Sequence, residues 1–195
     1  MVVSNQLRII GGEWRGRKLR FADGEGLRPT TDRVRETVFN GLQGQIQGRR
    51  CLDLFAGSGA LGLEALSRGA AEVVFWEKNP KAVQALRDNL AMLQCQRGQV
   101  VRGDTLQLLQ GPARPFDVLF LDPPFGRELL QPSLELLASG GWLAAQAKVY
   151  IEHASRGEGF SVPAEWELLR SKQAGQVAYH LARTCINSRD DRSGY

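Results

Sequence analysis

Residues 51–62, CLDLFAGSGALG, run from an apolar stretch straight into a cluster of glycines. The first six residues lack polar alternation apart from Asp53, which predicts a strand at 51–56 buried on both faces of a parallel sheet. Gly57, Ser58, Gly59, Ala60, Leu61 and Gly62 then fit the pattern G-x-G-x-x-G. Missing Cβ atoms there permit a tight turn and let a ligand approach the backbone before a helix begins. Glycines also close strands for structural reasons alone, so two acids carry the argument further. Asp53 lies inside the strand, where a carboxylate is costly unless it meets a cation or hydrogen-bond donors. Glu77 ends a second apolar run at 72–76, twenty residues after Gly57. At that spacing a carboxylate on the neighbouring strand tip can accept both ribose hydroxyl protons of an adenosine.

NAD and S-adenosylmethionine share these requirements, and charge separates them. A dinucleotide brings a pyrophosphate, which favours a clean helix N-terminus. S-adenosylmethionine brings a sulfonium and an ammonium, both cationic. Asp53, leading into the glycine loop, suits the second ligand, either directly or by fixing the loop through backbone donors.

The chain has 195 residues, 43% of them hydrophobic, which suits one domain of ordinary size with an extension. No apolar run approaches a membrane span, and the opening residues lack a basic and apolar leader, so a cytoplasmic protein is expected. Cys51, Cys95 and Cys185 are widely spaced, and only His153 and His180 accompany them, so neither a disulfide framework nor a metal centre is supported. The net charge of +4 is uneven: residues 1–50 hold ten Lys/Arg against five Asp/Glu, and the remainder is nearly neutral. A cationic segment on a neutral body suits a phosphate-backbone partner, although a solvated basic face has the same composition.

Residues 7–21, LRIIGGEWRGRKLRF, alternate apolar and basic residues and predict a two-stranded ribbon carrying Arg8, Arg15, Arg17, Lys18 and Arg20, with Trp14 available for stacking on RNA. Such a hairpin is marginal alone, so it packs on the main body or orders on binding. Residues 23–26 read as a loop. Arg28, Pro29 and Thr30 lead to a helix ending near Gly41, capped by Thr31 or Asp32, with Val34, Val38 and Phe39 as its apolar stripe. Arg33 and Arg35 fall off that stripe, where they bind phosphate or pair with Asp32 and Glu36 on a solvated face. The expected division is a basic extension at 1–48, a catalytic domain at 49–186 and a disordered tail at 187–195.

Further on, a helix follows the glycine loop and stops at Gly69, and Asn79-Pro80 caps the next one. A third strand at 99–104 brings Asp104 to its tip, where it accepts from an adenine amine, caps a helix, or does both. A fourth strand at 116–121 delivers Asp122, Pro123, Pro124 and Phe125 to the same sheet edge. Two prolines remove two backbone donors and leave rigid carbonyl acceptors beside a carboxylate and an aromatic ring. That set fits a planar base with an exocyclic amine, which offers two protons and a π-surface. A helix at 128–137, a fifth strand at 148–153 and an antiparallel hairpin at 166–171 and 176–182 complete an α/β fold. Its doubly wound sheet has seven strands, mostly parallel with one antiparallel.

These blocks together resemble the Rossmann-like S-adenosylmethionine-dependent methyltransferases, and more narrowly the bacterial family that methylates guanine N2 in small-subunit (16S) ribosomal RNA. The resemblance rests on LRIIGGEWRGRKL, RPTTDRVRETVFN, LDLFAGSGALGLEALSRGA, EKNP, RGD and LDPPF, and spans residues 7–183. It implies that Asp53, Gly57, Ser58 and Gly59 hold the methionine part of the cofactor, Glu77 the ribose and Asp104 the adenine. Asp122 and the Pro123 carbonyl would accept from the guanine amine, Phe125 would stack on the ring, and Thr30 and Arg33 would cover the cofactor or meet RNA. A monomer acting on 16S RNA, free or assembled into the small subunit, is expected, with no metal and no membrane. A DNA adenine-N6 methyltransferase, a non-catalytic RNA-binding assembly factor and an NAD-linked oxidoreductase are the alternatives.

Overall fold

The computed structural model describes residues 5–22, 31–126, 128–156 and 159–185. Arg28, Thr30, the loop at 23–26 and the tail at 187–195 lie outside the described residues. The expected sheet is present. Its strands are β3 (Arg50–Asp53), β4 (Glu72–Glu77), β5 (Gly98–Arg102), β6 (Phe116–Leu121), β7 (Leu143–Ala154), β8 (Trp166–Ala174) and β9 (Val177–Thr184). Their spatial order is β5-β4-β3-β6-β7-β9-β8, and β9 alone runs antiparallel, against both β7 and β8. The order reverses between β3 and β6, so the carboxyl ends of β3, β4, β5 and β6 open on one crevice.

Local chemistry sets the helices. Asn79 accepts from the Lys81 and Ala82 N–H groups and Pro80 takes the first turn of α3 (Pro80–Met92). Asp104 accepts from Leu106 and Gln107 and starts α4 (Thr105–Leu109), while α2 (Ala60–Ser67) begins behind Gly59 with no side-chain cap. Gly62 lets α2 lie directly on β4: a Cβ there would stand 2.2 Å from Phe75 Cε1. Three boundaries differ from expectation. The regular ladder of β3 ends at Asp53 because residues 54–58 turn, with the Gly59 N–H donating to Ala56 O, although the Leu54 and Ala56 N–H groups still donate to Phe120 O of β6 and Trp76 O of β4. Glu128 adopts φ 48°, outside helical space, so α5 starts at Leu130 and runs to Ser139. β7 begins at Leu143, not 148, because a bulge between the Phe116 and Val118 pairings takes up the weak strand formers 144–147, with Gln146 at φ 58°.

The basic N-terminal extension is built onto this body. β1 (Gln6–Arg8) and β2 (Lys18–Arg20) pair antiparallel through Leu7 and Leu19, and both leucines are buried. Their core is shared with Val38 and Phe39 of α1 (Asp32–Gly41), Leu63 and Leu66 of α2, and Phe75. Glu64, 0% exposed, accepts from the Ile10 N–H at 2.9 Å and the Gly11 N–H at 2.8 Å. Ser67 donates to Gly11 O and accepts from the Trp14 N–H.

Two expectations are corrected here. Trp14 is 6% exposed and packs under the Arg97 guanidinium, so its ring is not offered to a nucleic acid. Arg35 is not on a solvated face: it is 1% exposed, donates to Arg8 O at 2.7 Å and Asp32 Oδ1 at 2.6 Å, and stands 3.8 Å from Glu64. An arginine so enclosed ties α1 to the ribbon and cannot meet a phosphate. None of the described helices is long and apolar enough to cross a membrane.

Candidate functional site

The crevice at the strand tips holds a cavity of about 300 Å³, lined among others by Gly57, Trp76, Glu77, Asp104, Leu106 and Asp122. Four separate strand ends thus supply one site. Glu77 leaves β4 and bridges two backbone donors, Gly57 N–H at 2.8 Å and Asn79 N–H at 2.8 Å. Each bond uses one lone pair per oxygen, which leaves further acceptor capacity facing the cavity. Asp104 caps α4 with Oδ1 and also lines the cavity, so capping and ligand contact are compatible in one side chain.

Asp53, Ser58 and Gly59 are placed differently. All three are buried and none lines the cavity, whereas Gly57 does. Asp53, 2% exposed, accepts from the Gly62 N–H at 3.0 Å and so pins the glycine loop to the start of α2 from beneath. Burial pushes its carboxyl up to about 7, against the Gly62 hydrogen bond, which lowers it, and with the Glu77 charge, which raises it. A carboxyl raised on folding stabilises the protein fully below its unfolded value, and that contribution is lost as pH rises through about 7. Ligand-free wild type is therefore expected to lose about 3 kcal/mol between pH 5 and pH 8 from this group, a loss that Asp53→Asn removes. Urea denaturation at the two pH values checks it, and equal changes in both proteins would count against it.

The segment after β6 divides the space. Asp122 faces the first cavity, Pro123 and Phe125 face a second of about 750 Å³, and Pro124 borders both. Phe125 is 53% exposed, an unusual state for a large aromatic ring on a rigid loop. His153, Arg156 and Phe160 also line the second cavity. Neither these residues nor Phe55, Trp76 and Leu106 of the first cavity are singled out by the sequence, since apolar and aromatic side chains beside the motifs read equally well as core. Trp76, directly before Glu77, carries the only local signal. Of the basic residues expected to meet RNA, Arg8, Arg15, Arg17, Lys18 and Arg33 are exposed.

Known proteins match over nearly the whole chain. The family model described as "Conserved hypothetical protein 95" covers residues 7–183. Ribosomal RNA small subunit methyltransferase D of Escherichia coli K12 is 51% identical over 178 residues, 91% of this chain and 90% of that protein. Its namesake from Haemophilus influenzae is 44% identical over 180 residues, 90% and 93% respectively. Among solved structures, the Escherichia coli protein yhhF superposes with a TM-score of 0.86 at 49% identity, covering 93% of this chain and 99% of that one. A Thermus thermophilus 16S rRNA N2 methyltransferase in complex with AdoMet and guanosine shares the fold, with a TM-score of 0.68 at 21% identity over 93% of this chain and 50% of that one. The chain belongs to the family described as conserved hypothetical protein 95, the family of the small-subunit ribosomal RNA methyltransferases D.

Proposed function

We propose that the protein transfers a methyl group from S-adenosylmethionine to the exocyclic N2 amine of a guanine in 16S ribosomal RNA, by direct in-line displacement. The observation that carries this is the loop after β6, which puts Asp122 on one cavity and Phe125 on another, with Pro124 between them. The residues of the first cavity fit the cofactor: Glu77, Asp104 and Asp122 give it an acidic lining suited to a cationic ligand, and the Gly57 backbone allows close approach. When bound, S-adenosylmethionine supplies an activated methyl group on a sulfonium. Glu77 would take the ribose, Asp104 and Leu106 the adenine, and Gly57 the methionine part, with Asp53, Ser58 and Gly59 shaping the loop.

An exocyclic amine is a poor nucleophile because its lone pair is delocalised into the ring. Asp122 and the Pro123 carbonyl would each accept a hydrogen bond from the amine, draw the nitrogen toward a tetrahedral shape and aim its lone pair at the first cavity. Once the nitrogen has gained the methyl group, its surplus proton would pass to the Asp122 carboxylate. Phe125 would stack on the base. Orientation on a rigid sheet edge and exclusion of water supply much of the rate gain. The base must be unpaired or flipped out, since its amine is otherwise engaged. Arg8, Arg15, Arg17, Lys18 and Arg33 would meet the phosphates. A monomer working in the cytoplasm on free or assembled 16S RNA accords with these features.

The test is tritiated methyl transfer to unmethylated small subunits and, in parallel, to naked 16S RNA, followed by nucleoside analysis. Label in N2-methylguanosine is the expected result. Label elsewhere, or none with cofactor binding intact, would exclude it.

A further inference from the structure

The cavity beyond Phe125 is larger than one base requires. Its volume of about 750 Å³ lies toward the upper end of the range that encloses a drug-sized ligand, about 300–1,000 Å³. Part of its lining is held by a defined set of ring contacts. Phe160 sets its ring edgewise against both His153, at 4.8 Å and 71°, and His180, at 5.1 Å and 67°. The two imidazoles stack 5.2 Å apart with their Nε2 atoms 3.0 Å from each other. One proton arrangement satisfies the set. His153 Nδ1–H donates to Ala154 O, its Nε2 accepts from His180 Nε2–H, and His180 Nδ1 accepts from the Ser171 hydroxyl. Every ring nitrogen is then engaged, and burial first, then the neighbouring His153, holds His180 below its ordinary value. The Ser161 N–H donates to Gln131 Oε1 and ties the same segment to α5.

The aromatic part of the lining is therefore held by its neighbours, and its ring nitrogens are committed to structure, which leaves them no acid or base task. Phe125 and Arg156 line the same cavity, and Arg156 is exposed and in no ion pair among the described residues. Two aromatic surfaces and a free guanidinium are what a short run of single-stranded nucleic acid requires, because every base has a π-face and every link a phosphate.

We propose that this cavity holds, beside the target guanosine on Phe125, the adjoining nucleotide of the RNA, with its base against Phe160 and its phosphate on Arg156. The inference rests on the RNA methyltransferase function above and adds a second nucleotide subsite to it. Specificity for the residue next to the target would then be read in the same pocket as the target itself. His153 and His180 are positioning residues that hold Phe160.

The experiment is steady-state methyl transfer to unmethylated small subunits by wild type, Phe160→Ala and Arg156→Ala, over a range of potassium chloride concentrations. Each variant is expected to raise the KM for subunits about tenfold, with a smaller change in kcat and unaltered affinity for S-adenosylmethionine. Arg156→Ala is also expected to lower the slope of log KM against log salt by about one, as loss of one phosphate contact does, while Phe160→Ala leaves the slope unchanged. Merely structural damage would not divide the two variants in that way. Arg156 is exposed, so its substitution tests the idea even if Phe160→Ala folds poorly. Wild-type KM and salt slope in Arg156→Ala would overturn the proposal while leaving the function intact. Subunits left without N2-methylguanosine by the wild type would overturn both.

Discussion

Asp122→Ala is expected to slow methyl transfer about a thousandfold while the affinity for S-adenosylmethionine changes little. The carboxylate follows β6, whose last residue, Leu121, is fully buried, so its backbone position is fixed by the sheet and not by a mobile loop. It lines the smaller cavity, and Pro123 and Phe125, one and three residues later, line the larger. Removing it takes away one of the two acceptors that would orient the amine, but leaves in place Glu77, Asp104 and the Gly57 backbone, which would hold the cofactor. Asp122→Asn keeps an acceptor oxygen and loses the charge, so it is expected to retain more activity than Asp122→Ala. Single-turnover transfer measures the chemical step and calorimetric titration measures cofactor binding. A variant with near-normal turnover would remove Asp122 from the mechanism. A variant that no longer binds S-adenosylmethionine would make it a cofactor ligand instead.

Much of this site was legible because its parts are local. The glycine loop, the acid tips of β4 and β5 and the Pro-Pro segment each need only a few adjacent residues to state their chemistry, and a parallel sheet then brings the tips together. Asp53 was recognisable as a buried acid, but its orientation was not, since that depends on the N–H of Gly62 on the far side of the turn. Arg35 and Trp14 misled for one reason. Helical periodicity and composition describe a face, not what packs on it, and what packs on α1 is the ribbon, anchored by Glu64 some fifty residues away. The wall of the second cavity was hidden likewise: His153, Phe160 and His180 meet only because β9 returns antiparallel beside β7.

Glu64→Ala is expected to destabilise the protein by about 3–5 kcal/mol, the range for breaking a buried ion pair by removing one partner. Glu64 has no exposed surface, and its two oxygens serve the Ile10 and Gly11 N–H groups, the Arg68 Nε at 2.8 Å and the nearby Arg35. Arg35 is already under-satisfied: its Nε and Nη1 atoms have no hydrogen-bond partner among the described residues. Loss of Glu64 would leave that guanidinium with Asp32 as its remaining carboxylate, and Asp32 is exposed and screened. Glu64→Gln keeps an acceptor for a backbone N–H and loses only the charge, so a smaller loss is expected. Replacing both buried charges, as in Arg35→Met with Glu64→Gln, should cost less than the sum of the single changes, because neither charge is then stranded. Urea denaturation of wild type, Arg35→Met, Glu64→Gln and the double variant gives the coupling directly, with Glu64→Ala measured beside them, and hydrogen exchange at Ile10 and Gly11 locates it. Additive single and double losses, or a Glu64→Ala cost below about 1 kcal/mol, would show that the cluster carries no such coupling. Glu64 lies two residues beyond Gly62, whose N–H donates to Asp53, so the helix that anchors the basic ribbon is the one that begins at the glycine loop. Loosening the ribbon by this substitution is therefore expected to weaken S-adenosylmethionine binding as well, although Glu64 does not line the cofactor cavity.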